Sequence, residues 1–163
     1  MRSTYRPAQM DGVTAVVTWF VILLFAVLLA LALFYGEWPM VIGAAFLGII
    51  IAMSWQLRPI RYEITGDAVG IVRGRPFRSI VIPVADMREV RRVTLPATTI
   101  RTFGIGGLFG WVGWFWNKDL GRFFMAATHR KHTVLIANGK KFVISPENPD
   151  EFIADVRSRV KSD

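Results

Sequence analysis

The sequence predicts an α+β fold in two parts. A pair of membrane-spanning helices comes first, followed by an antiparallel β-barrel or bent sheet finished by one C-terminal helix. Three observations carry this. A long apolar run extends from Val13 to Leu57, broken around Gly36-Glu37-Trp38-Pro39. From Ile60 onward, short alternating segments are separated by turn residues. After Asn148, apolar residues fall on one helical stripe.

Val13 to Tyr35 is 23 residues without a charge, and Met40 to Leu57 is 18 more. As helices they reach roughly 35 and 27 Å, against a hydrocarbon core of about 30 Å. A soluble helix of this length normally keeps one face for water, and neither segment has one. Tyr35, Trp38 and Trp55 sit near the ends, where amphipathic rings meet headgroups. Pro39 suits the start of the second helix, where a missing N–H costs nothing. Ala44, Gly48 and Ala52 recur every four positions, as do Ala26 and Ala30. That spacing predicts close packing within the pair, with self-association through the same stripe as the alternative. Neither span carries an Asp, Glu, Lys, Arg or His, which argues against an ion or proton pathway.

The flanks set the orientation. Arg2 and Arg6 precede the first helix, Arg58 and Arg61 follow the second, and the turn carries Glu37. The positive-inside rule then predicts a multi-pass protein of the inner (cytoplasmic) membrane with both termini in the cytoplasm. Ala30-Leu31-Ala32 resembles a signal-peptidase site, but the apolar run exceeds the ~7–15 residues of a signal h-region and a second span follows at once. The organisation expected is a cytoplasmic N-terminal segment 1–12, a transmembrane hairpin 13–57 and a cytoplasmic domain 58–163. Of the 20 Lys and Arg, 18 lie from Arg58 onward, so the net charge of +8 belongs to that domain. The chain contains no cysteine, which removes disulfides, thiolate nucleophiles and Cys-based metal sites.

Within the domain, Ile60 to Thr65 alternates as a half-buried strand, Gly66-Asp67 turns, and Ala68 to Arg73 returns. Further strands are expected at Arg78 to Ile82, Val90 to Leu95, Phe123 to Thr128, Thr133 to Ala137 and Lys141 to Ile144. Val84 to Glu89 stays ambiguous. Asn138-Gly139 marks a hairpin between the last two strands. Asn148 caps the last helix, Pro149 opens it, and Asp150 and Glu151 suit its positive end. Phe152, Ile153, Val156 and Val160 form its apolar stripe, and Arg157, Arg159 and Lys161 suit its C-terminal end.

Tyr62-Glu63-Ile64-Thr65, Ile82-Pro83-Val84-Ala85-Asp86-Met87, Thr133-Val134-Leu135-Ile136 and Phe142 to Ile153 together resemble the bacterial pleckstrin-homology (PH) domain membrane proteins. The segments Thr102-Phe103-Gly104, Gly107-Leu108-Phe109-Gly110 and Trp116 to Phe123 are similar to a glycine-aromatic segment of one branch of them. The resemblance covers Arg58 to the end. It implies a PH-like, seven-strand barrel with a C-terminal helix, and no catalytic residues.

Arg73-Gly74-Arg75-Pro76 matches the core of a minor-groove AT-hook, but it lies between strands without basic flanks. It reads as a basic turn, and no nucleic acid partner is expected. In a PH-like domain, Arg73, Arg75 and Arg78 would meet anionic lipid, since the guanidinium fork suits phosphate. Gly104 to Gly110 lacks the strand-loop-helix setting of a phosphate loop. His129 and His132 flank Arg130-Lys131 in a turn without further ligands, so no metal is expected. Asp86 and Glu89 read as surface partners of Arg88, Arg91 and Arg92.

Phe103 to Trp116 holds five glycines, six aromatic residues and no charge apart from its flanks. Burial as glycine-bent strands is one reading. Contact with the headgroup boundary or a membrane protein through Phe103, Phe109, Trp111, Trp114, Phe115 and Trp116 is the other, with Lys118 and Arg122 meeting phosphates above. The sequence predicts a membrane-anchored binding or scaffold module contacting anionic lipid, a protein partner, or both. An auxiliary subunit of a larger membrane assembly is the alternative. No nucleophile or metal set suggests an enzyme, and no cofactor is implied.

Overall fold

A computed structural model describes residues 2–85 and 87–160 of the chain. Asp86 and Lys161 lie outside the described residues. Helix α1 spans Gly12–Tyr35 and α2 spans Trp38–Leu57. Asp11 caps α1, its carboxylate accepting a 2.8 Å hydrogen bond from Thr14 N. Gly36 ends it in the left-handed region at φ 68°, donating its N–H to Ala32 O at 3.1 Å. Pro39 sits in the first turn of α2. Both helices are long and apolar enough to cross a membrane, and only 11% of the most apolar window of each is buried.

The two helices pack antiparallel, and the contact uses only part of the small-residue stripe. Ala32 and Ala44 are buried, and a Cβ on Gly48 would lie 3.1 Å from the Phe25 ring. Ala26, Ala30 and Ala52 are exposed instead. Thr14, Thr18, Phe25 and Ala32 are buried or half-buried residues of roughly one α-helical face of α1.

The remaining chain forms two sheets. The first has strand order β1-β2-β3-β4, from Ser3–Tyr5, Pro59–Ile64, Ala68–Arg73 and Ile80–Pro83. The second has order β5-β9-β10-β8-β7-β6. Its strands are β5 Glu89–Val93, β6 Ile100–Gly106, β7 Trp111–Asn117, β8 Gly121–Ala127, β9 Thr133–Ala137 and β10 Lys141–Ile144. Among the described residues, only β10 and β8 pair in parallel. Among the described residues the sheets do not close into a barrel, and the seven strands implied by the resemblance become ten in two sheets. The β6–β7 hairpin adds two antiparallel strands at one edge of the second sheet.

Alternation decides what each face buries. Val134, Ile136, Ala126 and Ile144 point toward Tyr62, Ile64, Ile71 and Ile82 of the first sheet. Phe152 and Val156 of helix α3 (Pro149–Val160) complete this core. Their neighbours Leu135, Met125 and Val143 face the other way and pack with Phe115, Phe123, Leu120 and Leu95. The middle strands β8, β9 and β10 are thus covered on both faces, which explains their near-continuous apolar runs.

The N-terminal residues belong to this domain. Strand β1 pairs antiparallel with β2, with Tyr5 opposite Tyr62. Tyr5 also stacks edge-on against Phe152 at 5.2 Å and donates to Asp155 at 3.1 Å. Ala8 N donates to Ser145 O at 2.7 Å, and Glu147 N donates to Arg6 O at 2.9 Å. The segment before α1 is a strap laced across the domain that follows α2. Both ends of the helical pair therefore leave from the same side.

Candidate membrane and partner contact site

The glycine-aromatic segment is the β6–β7 hairpin, and its tip lies against the helices. Gly107-Leu108-Phe109-Gly110 forms the turn, with Gly107 N donating to Gly110 O at 3.0 Å. Phe109 takes φ 58°, a left-handed conformation uncommon for a non-glycine residue. Thr18 of α1 holds it there: Phe109 N donates to Thr18 Oγ1 at 3.0 Å, and that hydroxyl donates to Gly107 O at 3.4 Å. One turn earlier, Trp111 Nε1 donates to Thr14 Oγ1 at 2.9 Å. On the other helix, the Trp55 and Phe109 rings meet edge-on at 5.0 Å. Thr18 lies about 9 Å along α1 from Gly12. The tip follows α1 to that depth.

Glycine is required where the two strands cross closely. Gly104 and Gly113 face each other in the register, at φ 118° and 140°. A Cβ on Gly104 would lie 2.3 Å from Val112 O, and one on Gly113 would lie 2.2 Å from Phe103 O. No side chain fits at either position.

The sequence-predicted aromatic residues separate into groups. Phe115 is core, and Phe109 is buried between the tip and Trp55. Trp111 is half-buried beside Phe115 at 6.2 Å, with the Arg130 guanidinium 4.8 Å above its ring. Trp114 is half-buried against Phe124 at 5.5 Å. Phe103 and Trp116 are outward, at 77% and 41% exposure, and Ile100 opposite Trp116 is 58% exposed. Strand β6 is the outer edge of its sheet.

The basic residues separate too. The β3–β4 turn sits on the last turn of α2, where Gly74 N donates to Gln56 O at 2.9 Å. A Cβ on Gly74 would meet that same carbonyl oxygen at 2.8 Å. Arg73 is spent inside the turn, donating through Nη2 to Arg78 O at 2.5 Å. Arg75 and Arg78 are exposed beside it. Lys118 and Arg122 lie instead at the β7–β8 turn, about 20 Å of strand away from Trp111. There Arg122 stacks 4.7 Å above Trp114.

At the start of α1, a cavity of about 450 Å³ is lined by Asp11, Gly12, Val13, Leu95, Ala97, His129, Arg130 and Lys131. Burial alone would raise the Asp11 pKa, but hydrogen bonds from Thr14 and from Arg130 N, with His129 nearby, hold it below the usual value. Burial lowers the His129 pKa, helped by the neighbouring His132 and Lys131 and opposed by Asp11. No group of three or more His, Cys, Asp or Glu placed to hold a metal occurs among the described residues.

Sequence reasoning missed the two threonines and the strap. Thr14 and Thr18, four apart in an otherwise apolar helix, were a legible signal of a polar contact on one face. The strap had none, because three residues carry too little periodicity.

A family model described as Bacterial PH domain matches residues 60–160. No curated protein and no solved structure matches the chain.

Proposed function

Because the chain belongs to the bacterial PH domain family, we propose that it is a membrane-anchored binding or scaffold module acting at the cytoplasmic membrane surface. PH domains are typically binding modules rather than catalysts. In this reading α1 and α2 span the inner membrane, both termini are cytoplasmic, and residues 58–163 with the strap form the working domain. Anionic lipid meets Arg75 and Arg78 on the turn held by Arg73. A protein partner meets the outward face of Ile100, Phe103 and Trp116.

One observation carries the proposal. The Gly107–Gly110 tip extends along an apolar helix, and Thr18 satisfies both Phe109 N and Gly107 O. Irregular backbone survives at membrane depth only where its polar groups are satisfied by protein. The tip meets that requirement at Phe109 N, Gly107 O, Gly107 N and Gly110 O, and its glycines allow the close approach.

The auxiliary-subunit reading rests on a different observation, the open β6 edge with Phe103 and Ile100 exposed on it. Unpaired edges of this kind accept a strand from another chain.

Topology tests the proposal directly, since the chain has no cysteine. An impermeant maleimide should label Glu37→Cys in intact cells and leave Lys140→Cys, on the β9–β10 turn, protected until the cells are opened. The reverse pattern would place the domain outside and sink the reading.

A further inference from the structure

We propose that the cavity between the start of α1 and the 128–132 turn binds the phosphate-bearing headgroup of an anionic phospholipid. The inference rests on the membrane reading above, and goes beyond it by naming a site away from Arg75 and Arg78. A volume of about 450 Å³ is within the range of small-molecule clefts. Its walls divide by chemistry. Val13, Leu95 and Ala97 supply an apolar side, next to the point where α1 would enter the bilayer. His129, Arg130 and Lys131 supply a basic side.

The charges on that side are available. Among the described residues neither Arg130 nor Lys131 has an ion-pair partner. The Arg130 guanidinium is fixed by donating to Pro96 O at 2.9 Å and by stacking over Trp111. Those contacts order it and leave donors over, which is the preorganised fork that phosphate oxygens fit. His129 Nδ1 accepts from Lys131 N at 3.1 Å and from His132 N at 3.3 Å. The neutral ring then carries its hydrogen on Nε2, a further donor for a phosphate oxygen. His132 stands 4.6 Å from His129, ring to ring. Asp11 is the one opposing charge, and both its oxygens are engaged, by Thr14 N at 2.8 Å and Arg130 N at 3.2 Å. The balance of the site favours an anion. Its position at the first residues of α1 is the headgroup level of a spanning helix, so the phosphate would arrive with its glycerol and acyl chains against Val13 and Leu95.

The test uses the full chain in nanodiscs of phosphatidylglycerol or phosphatidylcholine, with tightly retained lipid read by native mass spectrometry after release. Wild type should keep one phosphatidylglycerol and no phosphatidylcholine. Lys131→Glu should weaken retention by roughly tenfold. Ala97→Trp, which fills the apolar side at an exposed position, should do the same without touching charge. Lys140→Glu, the same charge reversal on the exposed β9–β10 turn away from the cavity, should leave retention intact. Equal retention of both lipids, or loss in Lys140→Glu as large as in Lys131→Glu, overturns the site. Displacement by millimolar inorganic phosphate overturns the lipid source in favour of a free anion. The cysteine labelling above distinguishes the two failures: an inserted protein with correct topology and no retained phosphatidylglycerol refutes only this site, whereas a failed topology refutes both.

Discussion

Thr18 shows how one hydroxyl joins the two halves of the molecule. It is 3% exposed, accepts from Phe109 N and donates to Gly107 O. Replacing it with valine keeps the shape and strands a buried backbone N–H, a loss of about 1–3 kcal/mol. Thr18→Val in detergent should therefore melt several degrees lower, and Thr18→Ser should recover most of the difference. Identical melting of all three would show that the tip is not held by this contact. Asp155 does comparable work between strap and α3. Burial would raise its pKa, but hydrogen bonds from Arg159, Ser3 and Tyr5 outweigh it and hold the carboxyl below its ordinary 3.8. A depressed acid stabilises the fold fully above its unfolded pKa, and the benefit drains away as pH falls through the folded one. Asp155→Asn should thus lower the melting temperature at about pH 7, and the gap from wild type should close toward about pH 3. A gap independent of pH would mean that the carboxylate charge is irrelevant.

Among the elements, those with strong local signals were legible. Strands β3, β9 and β10 fall on the expected residues, as does the start of α3 at Pro149, because turn residues bound each one. Strand β4 starts later than the pattern suggests, since Arg78 and Ser79 belong to the turn seated on Gln56. The β6–β7 hairpin was only half legible. Its glycines penalise a helix, but their reason is tertiary: the Gly104–Gly113 crossing and the approach of Gly107 to Val17 exist only once α1 is in place. For the same reason its aromatics could not be sorted by sequence into buried Phe109 and Phe115 and outward Phe103 and Trp116. The arrangement makes a depth prediction. In single-tryptophan variants reconstituted with brominated lipids, Trp111, bonded to Thr14, should be quenched strongly by shallow labels. Trp116, at the far end of β7, should respond weakly. Equal quenching would mean that the hairpin lies flat on the bilayer rather than along α1.

For the molecule as a whole, the strap redraws the working domain as residues on both sides of the helical pair. A fragment beginning at Arg58 lacks the partner of β2, the Tyr5 ring against Phe152, and the acceptor that Arg6 offers to Glu147 N. It exposes Tyr62 and Ile64, both fully buried in the intact chain, along an open strand edge. Such a fragment should be poorly soluble. The ends to be reconnected are close, because packed helices lie about 8–10 Å apart. A flexible linker of about six residues, reaching roughly 13 Å, can join Asp11 directly to Arg58 in place of α1 and α2. The joined chain should be monomeric or reversibly associating through the uncovered Phe109 and Trp111, and should melt cooperatively, whereas the Arg58 fragment should not. That joined domain also isolates the electrostatic part of the proposed function. Its binding to anionic vesicles should fall as salt shortens the Debye length to about 8 Å and below. Neutralising Arg75 and Arg78 should weaken that binding further, at on the order of 1 kcal/mol per charge near the surface. A fragment from Arg58 that folds as well as the joined chain would show that the strap is dispensable. Salt-independent binding equal on neutral vesicles would remove anionic lipid from the account and leave the β6 face as the contact to pursue.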